Sequence, residues 1–216
     1  MDAGTIPEEL ALADWRRRVG ELYAEVRDLA ATEPDTAWQH WRRVREELFR
    51  GHSQSPVPEA GRRSFRALHF DYDPALRFEA IALGPEPPPP PGGLGLLALP
   101  NSGDEVLSFR RIGTLEVPFK AGPRRLSLFW MSGYAGGLFL PFRDATNGTE
   151  TYGAGRYLLD AAKSADLGGD PAAGTLVLDF NFAYQPSCAF DPRWACPLAP
   201  PQNRLDIPIR AGERIA

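Results

Sequence analysis

Three carboxylates, Asp144, Asp179 and Glu213, fall in short polar stretches of an otherwise apolar region between Pro141 and Glu213. A guanidinium at Arg156 stands between the first two. Hydroxyls at Thr146, Thr151, Tyr152 and Tyr184 and amides at Asn181 and Asn203 complete the set. Two carboxylates held close push their pKa values apart and can divide acid and base work. An arginine beside a carboxylate can instead bind an anionic group that the carboxylate orients. The same pair can also be buried solely to fix strand register. Three functions follow. The favoured one is a binding module for a small polar or anionic ligand, in a pocket formed by residues 141–213. The alternatives are a carboxylate-based hydrolase or lyase, and a structural protein with no catalytic site. Binding is favoured because the donors and acceptors cluster without an evident nucleophile, metal set or cofactor motif.

Strand parity gives the site its expected geometry. Over 175–184, Leu176, Leu178, Phe180, Phe182 and Tyr184 alternate with Thr175, Val177, Asp179, Asn181 and Ala183. A period of two places Asp179 and Asn181 together on the face opposite the core residues. Arg156, on the preceding strand, is expected to pair with Asp179. Both should be buried, beside Asp144 and Asn181 at one end of the β structure.

Other chemistries have less support. Cys188 and Cys196 sit in a proline-rich loop, and the histidines, His40, His52 and His69, lie far upstream. No four-ligand zinc set is apparent, and a nucleophilic cysteine would lack a nearby base. The two cysteines are expected to lie close enough to bridge and to stay mostly reduced in a cytosolic chain. Asn147-Gly148-Thr149 reads as a turn. Gly153-Ala154-Gly155 has no helix after it and so is no dinucleotide fingerprint. No cofactor and no metal are expected.

The elements that must position these groups follow from periodicity. Leu12, Trp15, Val19, Leu22, Val26 and Leu29 form one stripe of a helix over 8–31. Glu33-Pro34 ends it, and a second helix to about Phe49 carries Trp38, Trp41, Val44 and Leu48. The stripes can pack on each other, on the β core or on a second copy, so a homodimer through the first helix is one expectation. Beyond Gly51 the period becomes strand-like, with runs near 64–71, 76–83, 94–100, 104–112, 114–119, 125–131, 138–142, 151–160, 175–184 and 204–210. Tight turns separate many of them. Pro87 to Pro91 reads as a stiff polyproline spacer. The pattern predicts a mainly β chain: an antiparallel β sandwich or barrel with an N-terminal two-helix arm. Residues 1–50 form the arm and 51–216 the β-rich domain, which is expected to fold even without residues 1–34.

A formal net charge of −4 gives no bulk support for nucleic acid or an anionic membrane as partner. The arginine clusters, such as Arg16-Arg17-Arg18 and Arg42-Arg43, are interleaved with acids and read as solvated surface. No secretory leader or spanning segment is read, so the expected location is cytoplasmic.

Longer motifs identify relatives. Pro141-Phe142-Arg143-Asp144-Ala145-Thr146-Asn147-Gly148-Thr149-Glu150-Thr151-Tyr152-Gly153-Ala154-Gly155-Arg156-Tyr157-Leu158 is one. Leu178-Asp179-Phe180-Asn181-Phe182-Ala183-Tyr184-Gln185-Pro186-Ser187-Cys188-Ala189-Phe190 is the second. Cys196-Pro197-Leu198-Ala199-Pro200-Pro201-Gln202-Asn203-Arg204-Leu205, closed by Ala211-Gly212-Glu213-Arg214, is the third. In order and spacing the set resembles the signature of the bacterial family called domain of unknown function 1684, over about residues 38–214. The chain departs from the family at Gln185, where Asn is usual, and at Ala199, where Pro is usual. The resemblance implies no established activity. It marks the candidate site, and many relatives look exported or lipid-anchored.

Overall fold

A computed structural model describes residues 7–85, 96–99, 107–133 and 136–216. The proline run Pro87–Pro91 and the Asn101-Ser102-Gly103 turn lie outside the described residues. Two long helices open the chain, α1 (Glu8–Ala30) and α2 (Pro34–Gly51). Glu8 and Glu9 place negative charge at the positive end of α1. Pro34 occupies the first turn of α2, where its missing N–H would have had no partner. A short helix, α3 (Glu59–Arg62), precedes the strands. None of the described helices is long and apolar enough to cross a membrane.

The strands are β1 (Arg77–Gly84), β2 (Leu96–Ala98), β3 (Ser108–Val117), β4 (Arg124–Met131), β5 (Gly137–Phe142), β6 (Arg156–Asp160), β7 (Gly169–Asp170) and β8 (Thr175–Asp179). They form one antiparallel sheet in the order β6-β5-β4-β3-β1-β8-β7, with β2 also on β3. The sheet curls into a half-barrel. Its β6 edge meets the chain leaving β8, where Tyr157 and Tyr184 exchange backbone hydrogen bonds of 2.9 and 3.0 Å. The protein is therefore mainly β and antiparallel with a helical arm, as its periodicity predicts.

Alternation along the strands builds two apolar cores. Phe129, Phe139 and Tyr157 face the helices, while Leu128, Leu140, Leu158 and Leu178 face inward. The helix-side core is continuous from arm to sheet. Leu22, Tyr23, Val26, Trp38 and Trp41 share it with Phe109, Phe129, Phe139 and Phe182. Trp41 is fully buried, and its ring centroid lies 5.3 Å from that of Phe182. The α1 stripe thus packs within its own chain. Its first turns leave Leu10 and Leu12 exposed.

Several expected strands are something else. The runs 104–112 and 114–119 merge into β3, whose register with β4 shifts between Arg111 and Gly113. Any Cβ at residue 113 would meet the Gly84 carbonyl oxygen at 2.5 Å, so glycine is required where the strand bends. The run 151–160 is strand only from Arg156. Residues 64–71 and 204–210 form no strand, only isolated bridges, at His69 to Glu213 and Arg143 to Arg204. Their backbone groups are partly taken by side chains, such as Ile209 N–H by Asp144, so no regular ladder forms.

Candidate functional site

The first signature segment leaves β5 at Phe142, turns, and re-enters the sheet at Arg156. Inside that turn the polar side chains are bonded in series. Asn147 Nδ2 donates to Thr151 Oγ1 (2.9 Å), Thr151 shares a proton with Thr146 Oγ1 (2.8 Å), and Thr146 donates to Asp144 Oδ1 (2.5 Å). Asp144 Oδ1 also accepts from the N–H groups of Thr146 (2.8 Å) and Ile209 (3.2 Å). Its other oxygen takes Arg156 Nη2 at 2.9 Å, with both side chains 0% exposed. Asn147 Oδ1 closes the turn by accepting Asp144 N–H at 2.6 Å.

Arg156 spends its remaining donors on the C-terminal stretch. Nη2 reaches Ile209 O (2.7 Å), and Nη1 reaches Glu213 O (3.2 Å) and Ala211 O. Of its five N–H groups only Nε has no partner among the described residues. Burial pulls the Arg156 pKa below its usual value, and the Asp144 carboxylate opposes that shift. The clamped segment can pass so close only because residue 212 is glycine. Its φ is +75°, and a Cβ there would meet Ala183 O at 2.3 Å. This explains why the Ala211-Gly212-Glu213-Arg214 motif accompanies a buried arginine so far upstream.

The expected Arg156–Asp179 pair is not formed. Asp179 stands opposite Arg77 in the β1–β8 register and binds its Nη1 at 3.2 Å. β6 and β8 are not neighbours in the sheet, so Arg156 takes Asp144 from its own turn instead. The parity argument fails at the same place. The strand ends at Asp179 and a 3-10 turn covers Phe180–Phe182, so Phe180, Asn181 and Phe182 are all buried. Asp179 Oδ1 caps this turn, accepting Asn181 N–H (3.0 Å) and Asn181 Nδ2 (2.8 Å). Asn181 in turn pairs with both backbone groups of Asp73, at 2.8 and 2.9 Å. Burial raises the Asp179 pKa, against the lowering pull of Asn181 and Arg77.

Asn203 has a third, separate task. Pro141 has no N–H to offer the β4 side of the sheet. The Asn203 amide fills the gap, binding Ser127 N–H (2.7 Å), Ser127 O (2.9 Å) and Pro141 O (2.8 Å). Tyr184 Oη donates to Asp160 Oδ2 at 3.3 Å, and Tyr152 Oη to Cys188 O at 3.4 Å. Burial, with the Cys188 thiol beside it, pushes the Tyr152 phenol up to about 12.

Glu213 forms the fourth cluster. Its oxygens take Arg45 Nε (2.6 Å), Arg45 Nη2 (3.3 Å) and Gln185 N–H (2.7 Å). Burial alone would raise this carboxyl; Arg45 outweighs it and holds the pKa below the ordinary value. Arg45 lies over the rings of Phe49 (4.3 Å) and Tyr184 (4.7 Å). His69 bridges Glu213 through the backbone and stands edge-on to Trp38 and Trp41. Its Nδ1 faces Ala67 O at 3.2 Å, so Nδ1 carries the proton and Nε2 the lone pair. Among the described residues no donor reaches that Nε2.

The candidate residues thus divide among separate bonded clusters. Asp144, Thr146, Thr151 and Arg156 form one, and Asp179 with Asn181 another. Asn203, Tyr184, Tyr152 and Glu213 each serve elsewhere. A cavity of about 220 Å3 borders one of them. It touches Glu213, with Gln185, Phe65, Phe190, Arg66 and Arg214. Sequence reasoning missed Arg45, Arg77 and His69. Arg45 and Arg77 sit in a helix and at a strand start that read as scaffold, and only the folded register shows their partners. The signal for His69 was a lone histidine in an apolar run, too weak to separate from an ordinary core residue.

Together the fold and these clusters define a curled-sheet protein whose signature residues are internal struts. The chain belongs to the family described as "Protein of unknown function (DUF1684)", whose model matches residues 63–214. It is also similar to an uncharacterized protein of Haloarcula marismortui solved by solution NMR. That likeness has 32% identity and a TM-score of 0.58, covering 87% of this chain and 97% of that one. No curated protein matches the chain.

His69 gives the site a testable pH signature. Burial, with Arg42 and Arg45 adding to it and Glu213 opposing, lowers its pKa from 6.5 to about 4. Between those values the unfolded chain binds a proton that the folded chain does not. Stability contributed by neutral His69 is therefore complete above about pH 6.5 and is lost as pH falls toward 4. A loss of about 2 kcal/mol over this window is expected from the shift, reduced for partial exposure. Urea unfolding at pH 6.5 and 4.5 should show a shallower slope in His69→Phe than in the unaltered chain. Equal slopes would place the acid sensitivity elsewhere.

Proposed function

We propose that the chain is a binding module for a small oxyanion that also carries a hydroxyl, taken up by the outer cleft of α2. The observation that carries this reading is the His69 Nε2, a buried acceptor with no donor among the described residues, on a side chain that borders an arginine-lined cleft. Unsatisfied buried polar atoms are uncommon and call for a partner. The cleft has a volume of about 480 Å3 and is bordered by Trp38, Arg42, Arg43, Glu46, Glu47, Arg50 and His69. This size lies in the range of small-molecule sites.

The charges support the choice of ligand. Arg43 faces Glu47 at 3.2 Å and Arg50 faces Glu46 at 3.8 Å. Arg42 makes no ion pair among the described residues and lies 4.4 Å over the Trp38 ring. Stacking fixes the guanidinium plane and leaves its N–H edge for a carboxylate or phosphate. The neutral His69 accepts the hydroxyl. A hydroxycarboxylate, a phosphate monoester and dihydrogen phosphate all carry this combination. A carboxylate hydrolase would need paired carboxylates facing one cavity. Asp144 and Asp179 share no hydrogen-bond partner and have their oxygens engaged, which favours a scaffold role for both.

Thermal shift in low salt tests the reading. Dihydrogen phosphate, a phosphate monoester and a hydroxycarboxylate should each be tried. At least one is expected to raise Tm, because ligand bound to the native state stabilises it. Arg42→Ala should weaken that binding about tenfold or more, the usual range for a charged hydrogen bond. The unliganded Tm should fall only slightly, since half-buried Arg42 makes no ion pair among the described residues and loses its stacking on Trp38. No shift with any of the three, or equal shifts in both proteins, contradicts the assignment.

A further inference from the structure

We infer that Cys188 and Cys196 constitute a disulfide site, a dithiol poised to close into an internal bridge. Both are thiols in this structure. The Cys188 N–H donates to Cys196 Sγ at 3.3 Å. Within a cysteine, N and Sγ are three bonds apart, so Cys196 Sγ lies beside the Cys188 side chain, at most about 7 Å from its Sγ. Both ends of the segment are held. Phe190 packs on Phe49 of α2 (5.4 Å) and on Phe65 (5.7 Å). Pro197 O accepts the Tyr157 hydroxyl. The Cys188 thiol and burial push the Cys196 thiol up, which leaves Cys188 as the sulfur to react first.

The two cysteines differ in access, and this sets the order of events. Cys188 is half-buried and Cys196 is buried. With a small disulfide as oxidant, Cys188 releases its proton to solvent, and its thiolate attacks one oxidant sulfur and expels the other half as a thiolate. Cys196 then loses its proton to solvent as it attacks Cys188 Sγ and expels the second half, and both expelled thiolates take up a proton from solvent. Two protein thiols and one small disulfide become one protein disulfide and two small thiols. The bridge would fix the turn carrying Phe190, which forms one wall of the cavity of about 220 Å3 beside Glu213. The site thus ties the oxidation state of the loop to the shape of that cavity.

The test treats the folded full-length chain with oxidised glutathione and follows intact mass and Tm. The expected product has lost two hydrogens and no longer reacts with a thiol label. Its Tm should rise by about 5–10 °C and return on reduction, as for a bridge closing a short loop. Cys196→Ser should instead accumulate a glutathione adduct, and Cys188→Ser should react little while folded. If either variant fails to fold, the adduct is sought as a transient in the unaltered chain. Retention of both thiols, a lasting adduct in place of the bridge, or a disulfide-linked dimer overturns the inference.

Discussion

Arg156→Met is expected to destabilise the protein by about 3–5 kcal/mol, because it strands a buried carboxylate. That is a large part of the roughly 5–15 kcal/mol that holds a domain folded. The loss goes beyond one ion pair. Arg156 also satisfies the carbonyls of Ile209, Ala211 and Glu213, and methionine offers none of those donors. Buried acceptors left open cost about 1–3 kcal/mol each before relaxation. Adding Asp144→Leu should therefore recover only part of the stability, since the Ile209 N–H and Thr146 hydroxyl lose their acceptor as well. Urea unfolding of the single and double variants measures both quantities. A double variant as stable as the unaltered chain would mean that the clamp on residues 209–213 contributes little.

Removal of residues 1–34 is expected to abolish the cooperative thermal transition. The sequence reading expected a folded β domain after this truncation, because the strand-rich region has its own apolar pattern. The packing points the other way. Leu22, Tyr23, Val26 and Ala30 belong to the same buried cluster as Phe109, Phe129, Phe139 and Phe182. Burying a large apolar side chain contributes about 1.5–3 kcal/mol, and the faces uncovered on Trp41 and the sheet add to the loss. The sum is on the order of the whole stability. Calorimetry of the truncated chain would reveal this as a broad or absent transition. A sharp transition of near-normal enthalpy would restore the view of α1 as an appendage.

Much of this architecture was legible in the sequence. The helix stripes placed α1 and α2 within a residue or two of their ends, because an amphipathic period of 3.6 depends only on local spacing. The strand alternation gave an antiparallel, turn-rich sheet for the same reason. The segments that would hold the polar groups were also apparent, since dense hydroxyls and amides in apolar surroundings demand internal partners. The partners themselves were not. Arg156 and Asp179 looked like neighbours on consecutive strands, but sheet order is a non-local property, and β8 pairs with β1. Asn203 serves a gap left by Pro141, a relation visible only once β4 and β5 splay. Tyr184 read as the end of a strand, yet a 3-10 turn intervenes and turns it toward Tyr157. Most of these errors arose where side chains replace the backbone as hydrogen-bonding partner, which no periodicity records.

The same distinction separates scaffold from binding surface. A cluster such as Asp144–Thr146–Thr151–Arg156, in which Arg156 Nε alone lacks a partner among the described residues, has little left to offer a ligand, however dense its polar atoms. The cleft of α2 has fewer polar atoms, but an arginine edge and an imidazole lone pair remain unused there. NMR titration of the full chain with phosphate near pH 6 tests this most directly, because dihydrogen phosphate supplies both the charge and the hydroxyl. The expected result is saturable shifts confined to the Trp38 indole, the Arg42 guanidinium and the His69 ring, with the amides of Asp144, Thr146, Thr151 and Arg156 unmoved. Shifts centred on those signature amides, with the α2 cleft silent, would contradict the division of roles.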